Sequence, residues 1–180
     1  MSVDQVSIPL LTSAAAVTRA ILAVESAALH HDWLRTRLQE YDHNVQLDFL
    51  TGAITPAALY YKAQRIRSLI RQQVFEVFRK VDVLALPSSS EPAPLLLQRA
   101  GLKSKDEARQ RMSGRRTLTG VFNLASVPAL SVPCGFVSVS GKELPIGLQL
   151  AGRPFDDGLL LRVAYAYEQV TPWHMRRPPI

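Results

Sequence analysis

The first eighty positions carry a helical pattern of apolar and polar residues. Val17, Ile21, Val24, Ala28, His31 and Leu38 follow one another by three, four or seven residues, which predicts one helical face over 12–40. Thr12 or Ser13 is placed to cap its start by accepting from free backbone N–H groups. Glu25 and the Arg35/Arg37 pair are expected to face outward. Over 56–80 the pattern is sharper. Leu59, Ala63, Ile66, Ile70, Val74 and Val77 step by four, three, four, four and three. Thr55 reads as the N-cap and Pro56 as the first helical residue, where a missing N–H costs nothing. Arg65, Arg67, Arg71, Gln72 and Arg79 are expected on the wet face. Arg67 and Arg71 are like charges four apart, so packing of the apolar stripe must hold this helix.

The pattern changes near position 81. Val81 to Leu86 is apolar except for Asp82 and stops at Pro87, as a strand buried between helix layers would. A helix that runs straight into such a strand predicts an α/β sheet. Ten of the twelve prolines fall at position 87 or later. Residues 88–94 cannot continue a ladder because of their prolines. Residues 95–116 read as a polar, basic connection. Thr117 to Leu124 reads as a short helix, with Asn123 suited to a C-cap. Ala129 to Val132 and Ile146 to Leu150 read as further strands, with a hairpin-like turn at Ser140, Gly141 and Lys142 between them. Asp156 or Asp157 is expected to cap a last helix through about Val170. Its inner side would be Leu159, Arg162/Val163, Ala166 and Val170. The tail from Thr171 to Ile180 reads as irregular, and there is no internal repeat. The chain is thus expected to be a single unit over 1–180, mainly helical over 1–80 and built of strands, loops and a C-terminal helix over 81–180.

Composition narrows the classes. In 180 residues, 47% are hydrophobic and 20% charged, which is a globular balance. No apolar stretch is expected to approach the roughly 20 residues that span a bilayer. The start of the chain shows no basic region before an apolar segment, so no signal peptide is expected. A single cysteine, Cys134, cannot pair internally, and a reducing cytoplasm is the expected compartment. The net charge of +6 is spread from Arg19 to Arg177 without a basic run, and no nucleic-acid motif accompanies it. Neither nucleic acid nor a membrane is therefore expected as a partner.

Three blocks from position 81 onward carry a family likeness: Val81 to Pro87, Phe122 to Gly135, and Leu144 to Pro154. In this order they resemble the C-terminal third of amidase-signature enzymes. The Leu-Pro-Ile-Gly-Leu-Gln run from Leu144 to Gln149 is the most specific match. Other positions agree with it: Glu25 with His30 or His31, then Tyr60, Ala63 and Arg67, then Ala93-Pro94, and at the end Trp173-His174 and Arg177-Pro178-Pro179. The resemblance implies an α/β fold with helices packed on a mixed sheet, here incomplete. It implies hydrolysis of amides, or transfer of their nitrogen, by a serine nucleophile, a second serine joined through a cis peptide, and a lysine. No metal or organic cofactor is implied. A serine hydroxyl becomes a nucleophile only when a base takes its proton. A desolvated lysine can be that base near neutral pH.

The decisive elements of that pattern are missing. The nucleophile loop of such enzymes is rich in adjacent glycines, and none of the nine glycines here adjoins another. The five lysines, Lys62, Lys80, Lys103, Lys105 and Lys142, fall on predicted wet helix, polar connection or turn. No catalytic residue is carried over. The resemblance therefore implies a C-terminal portion that is inactive alone and meets a small amide substrate only when completed by the missing N-terminal part. A complementing chain or a homo-oligomer would be its partner. The alternative is a non-catalytic interaction module, since a partial sheet presents open edges at Val81 to Leu86 or Ile146 to Leu150. A third reading, transamidation on tRNA, follows from relatives in the same family.

Ser88 and Ser89 stand at the C-terminal end of a strand, where α/β sheets place ligands. They are candidate pocket residues, with turn chemistry as the alternative. A nucleophile at Ser88, Ser89 or Ser90 would lack the Gly-x-Ser-x-Gly elbow and any base nearby in sequence. Asn123 and Gln149 are polar beside apolar blocks and are candidates to satisfy backbone groups near a pocket or to touch substrate. Cys134 is expected to fill space, though a thiol with a histidine partner could act as a nucleophile. His30, His31, His43 and His174 show no metal spacing.

Overall fold

The structure, a computed structural model, describes residues 2–94 and 118–177. The connection read over 95–116, the helix start at Thr117, Lys103, Lys105 and the final Pro178-Pro179-Ile180 lie outside the described residues. Helices α1 (Leu11–Leu29), α2 (His31–Thr36), α3 (His43–Ala53) and α4 (Ala57–Phe78) lead into strand β1 (Val83–Pro87). Helix α5 (Gly120–Ala125), strands β2 (Ala129–Val139) and β3 (Lys142–Gly152), and helix α6 (Asp157–Gln169) follow. Single 3-10 turns stand at Leu38–Glu40 and Trp173–Met175. Helices packed on a sheet make this an α/β fold, as the sequence predicts.

The helix expected over 12–40 ends early. Its C-cap is His30, whose N–H donates to the carbonyl of Ser26. The reason lies in the side chain. The His30 ring stacks on Phe49 at 4.7 Å and its Nδ1 lies 2.9 Å from the Tyr41 hydroxyl. Holding those aromatic partners requires the chain to turn back, and α3, which the pattern did not reveal, then runs beside α1. Asp42 caps α3 by accepting from the N–H of Asn44 at 2.9 Å. The two helices meet where a Cβ on Gly52 would fall 1.9 Å from the Ala23 carbonyl oxygen. Only a glycine permits that approach.

The expected caps are not made. No side chain caps α1. The N–H of Leu10 instead donates to Gln73 Oε1 at 3.0 Å, which ties the start of α1 to α4. Pro56 is the N-cap of α4, one position outside the helix, and Thr55 Oγ1 donates back to the Thr51 carbonyl at 2.7 Å. Along α4, Ala63, Ile70, Val74 and Phe78 are buried, whereas Leu59, expected inward, is 49% exposed. Arg67, expected on the wet face, is half-buried. Its Nε donates to the Leu124 carbonyl at 3.0 Å and its Nη2 to Ser126 Oγ at 3.2 Å. These bonds hold the end of α5, where Ser126 takes the left-handed conformation at φ 56°. Asn123, expected as that cap, lies inside α5 with its side chain exposed.

The three described strands run β1-β3-β2, and each pairing among them is antiparallel. The parallel pairing that a mixed sheet requires is not among the described strands. The strands of the hairpin run far beyond the segments read from sequence. A two-residue turn at Ser140 and Gly141, with φ 51° and 76°, joins them. Both residues left-handed is the geometry that matches strand twist in a tight hairpin. Register shifts between Pro133 and Gly135, so Cys134 is the extra residue of a β-bulge.

Residues opposite one another in the ladder share a face, so the sheet separates two cores. On one face Leu84 and Ala151 join Val17, Ile21, Ile70, Val74 and Phe122 of α1, α4 and α5. On the other, Val132 and Leu150 pack under Leu160 and Ala164 of α6. Of the expected inner set Leu159, Arg162/Val163, Ala166 and Val170, Val163 packs there beside Leu160 and Ala164, whereas Arg162, Ala166 and Val170 are exposed. Helix α1 is long and apolar enough, by length and composition, to cross a bilayer, contrary to the expectation that no segment is. In this fold it is the helix against which α3, α4 and α5 pack.

Strand β1 has one partner among the described residues. Ser88 N donates to the Gly147 carbonyl, and antiparallel bonding alternates. The N–H groups of Leu84 and Leu86 therefore point to β3, and those of Val83 and Ala85 point to the open edge, which Pro87 closes because it has no N–H. Ala85 is exposed, so the expectation of a strand buried on both faces is not met by the described residues.

Candidate functional site

The start of β1 is fixed by one guanidinium. Arg153, just after β3, donates from Nε to the Phe78 carbonyl at 3.0 Å. Its Nη2 donates to the Val81 carbonyl at 3.3 Å and to Asp82 Oδ1 at 3.1 Å. The carbonyls left free at the end of α4 are satisfied there. Strand β1 then leaves the helix in a set direction and delivers Ser88 beside Gly147 of β3.

Ser88 Oγ lies 2.8 Å from Ser131 Oγ, spanning β3 from one side to the other. Gly147 makes room between them, since a Cβ there would stand 2.7 Å from Ser88 Oγ. Ser131 was not singled out from sequence. No local motif marks it; only the register, which sets it opposite Gln149, brings it in. Gln149 is 4% exposed, the one buried polar residue among those described, and its Oε1 has no hydrogen-bond partner among them.

A cleft of about 750 Å³ opens between the segment after β1 and the outer half of the hairpin. Pro87, Ser88, Ser89, Ser90, Glu91, Cys134, Val137, Ile146 and Leu148 are among its walls. Its apolar walls and few hydroxyls suit a small organic ligand held by one or two polar contacts. Of the four sequence candidates, the structure brings Ser88 and Ser89 to this cleft. Gln149 lies next to the serine pair in the sheet but does not line the cleft, and Asn123 is exposed on α5.

No lysine or histidine is among the described residues that line the cleft. The two hydroxyls bond each other, and Ser89 Oγ accepts from the N–H of Glu91 at 3.3 Å. Burial pushes the Cys134 thiol above its ordinary pKa, and Sγ–H donates to the Ile146 carbonyl at 3.6 Å. A protonated thiol is a poor nucleophile. The described lysines are all exposed: Lys62 on α4, Lys80 in the turn after it and Lys142 at the hairpin tip. His30 is engaged with Tyr41 and Phe49, and His31 with Asp32. Among the described residues no three His, Cys, Asp or Glu side chains converge as a metal site would require.

Comparison with known proteins adds the context of this arrangement. The family model described as Amidase matches residues 1–161. The chain is 38% identical over 162 residues to a glutamyl-tRNA(Gln) amidotransferase subunit from Thermodesulfovibrio yellowstonii, covering 87% of this chain and 32% of that protein. A solved amidase structure matches with a TM-score of 0.72 at 30% identity, over 91% of this chain and 36% of the other. The crystal structure of the corresponding glutamyl-tRNA(Gln) amidotransferase subunit from Thermotoga maritima matches with a TM-score of 0.64 at 26% identity. That match covers 96% of this chain and 36% of the other. The chain therefore spans about a third of the length of the relatives it matches.

Proposed function

The chain belongs to the amidase family, and from that premise we propose that it forms one wall of an enzyme breaking carbon–nitrogen amide bonds, with the nucleophile and its base supplied from sequence outside these 180 residues. The observation that carries the reading is the serine pair. Ser88 and Ser131 stand beside a ligand-sized cleft, 2.8 Å apart, yet no lysine or histidine among the described residues faces them. In an amide hydrolase a hydroxyl attacks the carbonyl carbon, its proton passes to a base, and the C–N bond breaks as the nitrogen is protonated. Among the described residues the cleft offers hydroxyls for binding and shape, and no lysine or histidine lines it to take the proton. Ser88 and Ser89 form the pocket wall. Gln149 supports it from within the sheet, and Asn123, on the exposed side of α5, falls outside it.

The test is direct. The purified chain is assayed on a small aryl amide, and the same residues are assayed in place of the corresponding third of the Thermotoga maritima relative. No turnover by the first and turnover by the second is expected. Amide hydrolysis by the isolated chain that disappears in Ser88→Ala would overturn the reading.

A second reading is favoured by one feature, the open edge at Val83 and Ala85. In it the chain is a docking module that pairs with a strand of another protein. A sharply melting monomer that binds no strand-forming chain would count against it. The names of the relatives, as subunits of glutamyl-tRNA(Gln) amidotransferases, raise a third possibility. Work on tRNA predicts binding that weakens steeply with salt; salt-insensitive or absent binding removes it.

A further inference from the structure

The sheet face turned toward α1, α4 and α5 changes character along its length. Leu84 and Ala151 are covered by helices and apolar. Beyond them the same face carries Gln149, Ser131 and Ser88. Register sets Gln149 between Leu86 on one side and Ser131 on the other. Ser131 is exposed, Ser88 is half-buried, and their hydroxyls are already paired. Gln149 is enclosed, and the carbonyl of its side chain accepts nothing from the described residues. A buried amide acceptor without a donor bears its desolvation cost uncompensated. Native folds satisfy the large majority of such groups; Thr18 Oγ1 and His174 Nδ1 are the other two left unpartnered among the described residues.

We propose that Gln149 is a docking point for the rest of the enzyme: its side-chain carbonyl accepts a hydrogen bond from an N–H of the polypeptide that completes the fold, laid across the Ser88–Ser131 strip. This rests on the reading that these residues are one wall of a larger amidase. The donor is polypeptide and not substrate because neither Gln149 nor Ser131 lines the cleft. A diffusible amide in the cleft meets Ser88 and Ser89 first. The chain covers only 36% of the Thermotoga maritima relative, so polypeptide is available to supply the donor. The acceptor has no exposed surface of its own, so the side chain must shift as the donor arrives, and the broad last torsion of a glutamine permits that movement.

The inference predicts a reversal of sign. In the isolated chain, Gln149→Met removes an unpaired acceptor and keeps the volume, so the melting temperature rises by about 2–6 °C. Gln149→Leu gives the same direction if methionine packs poorly. In a chimera carrying these 180 residues as the matching third of the Thermotoga maritima protein, the same substitution removes a made bond and the melting temperature falls. A lower melting temperature for both variants of the isolated chain overturns the proposal, as does a rise in the chimera. Acetamide that stabilises the parent chain but not Gln149→Met also overturns it, by assigning the acceptor to a diffusible amide. A chimera that melts cooperatively but hydrolyses no amide removes the functional reading, while the melting comparison still decides the role of Gln149. If the chimera does not fold, the isolated-chain comparison decides alone.

Discussion

Ser88 and Ser131 come from strands that never touch, yet their hydroxyl oxygens stand 2.8 Å apart over Gly147 of the strand between them. A side chain on Gly147 would occupy the space of this bond. Gly147→Ala is therefore expected to destabilise the chain by about 1–3 kcal/mol through overpacking. The cost should shrink in a Ser88→Ala background, where the blocking oxygen is gone. Chemical denaturation of the four members of this cycle measures the coupling; equal costs in both backgrounds would show that the glycine serves some other purpose.

Gly52 is under a harder constraint. A Cβ there would sit 1.9 Å from the Ala23 carbonyl oxygen, a backbone atom that cannot step aside without moving α1. In an isolated helix Gly→Ala gains up to about 1 kcal/mol. Here the expected outcome is a net loss of about 2–3 kcal/mol, seen as a fall of roughly 4–12 °C in the melting temperature. A neutral or stabilised variant would mean that α1 and α3 are not packed at this crossing.

Arg153 makes three hydrogen bonds to the end of α4 and to Asp82. Arg153→Met keeps the stem and removes the donors, with an expected cost of about 1–3 kcal/mol. Arg153→Lys should recover little of it, because an ammonium cannot reproduce the planar fork that meets two carbonyls at once. Full recovery by lysine would reduce the role of Arg153 to its charge.

Cys134 should react slowly. Burial holds its thiol above the ordinary value, so the thiolate that attacks iodoacetamide is scarce near pH 8. Labelling is expected to be several-fold slower in the folded chain than in denaturant. The linkage has one sign. The folded state favours the protonated thiol, so its contribution is complete below the unfolded value of ~8.5 and is lost as pH rises through the higher folded value. Alkaline melting curves that show a gain of stability above that range would contradict this.

Much of the architecture can be read from periodicity alone, and the residues show where that reading ends. The stripe Ala63, Ile70 and Val74 on α4 and the strand ending in Pro87 are local patterns, each imposed by a single element. The expected caps fail locally; the larger failures are tertiary. His30 ends a helix because Tyr41 and Phe49 hold its ring, and those partners lie 11 and 19 residues away. Arg67 looks like solvent-facing charge until the end of α5 arrives beneath it. At the candidate site, Ser88 and Ser89 were legible because a strand end is a local signal. Ser131 was not, since nothing in its own segment shows that register sets it beside Gln149 and brings it within reach of Ser88.

The open side of β1 offers two amide hydrogens, from Val83 and Ala85, before Pro87 withholds the next. A partner strand can be stitched there over one turn of the ladder and no further. Fibre growth depends on edges that repeat their bonding without limit. Among the described residues this edge offers its donors over a few ångströms only, too short a run for such a repeat.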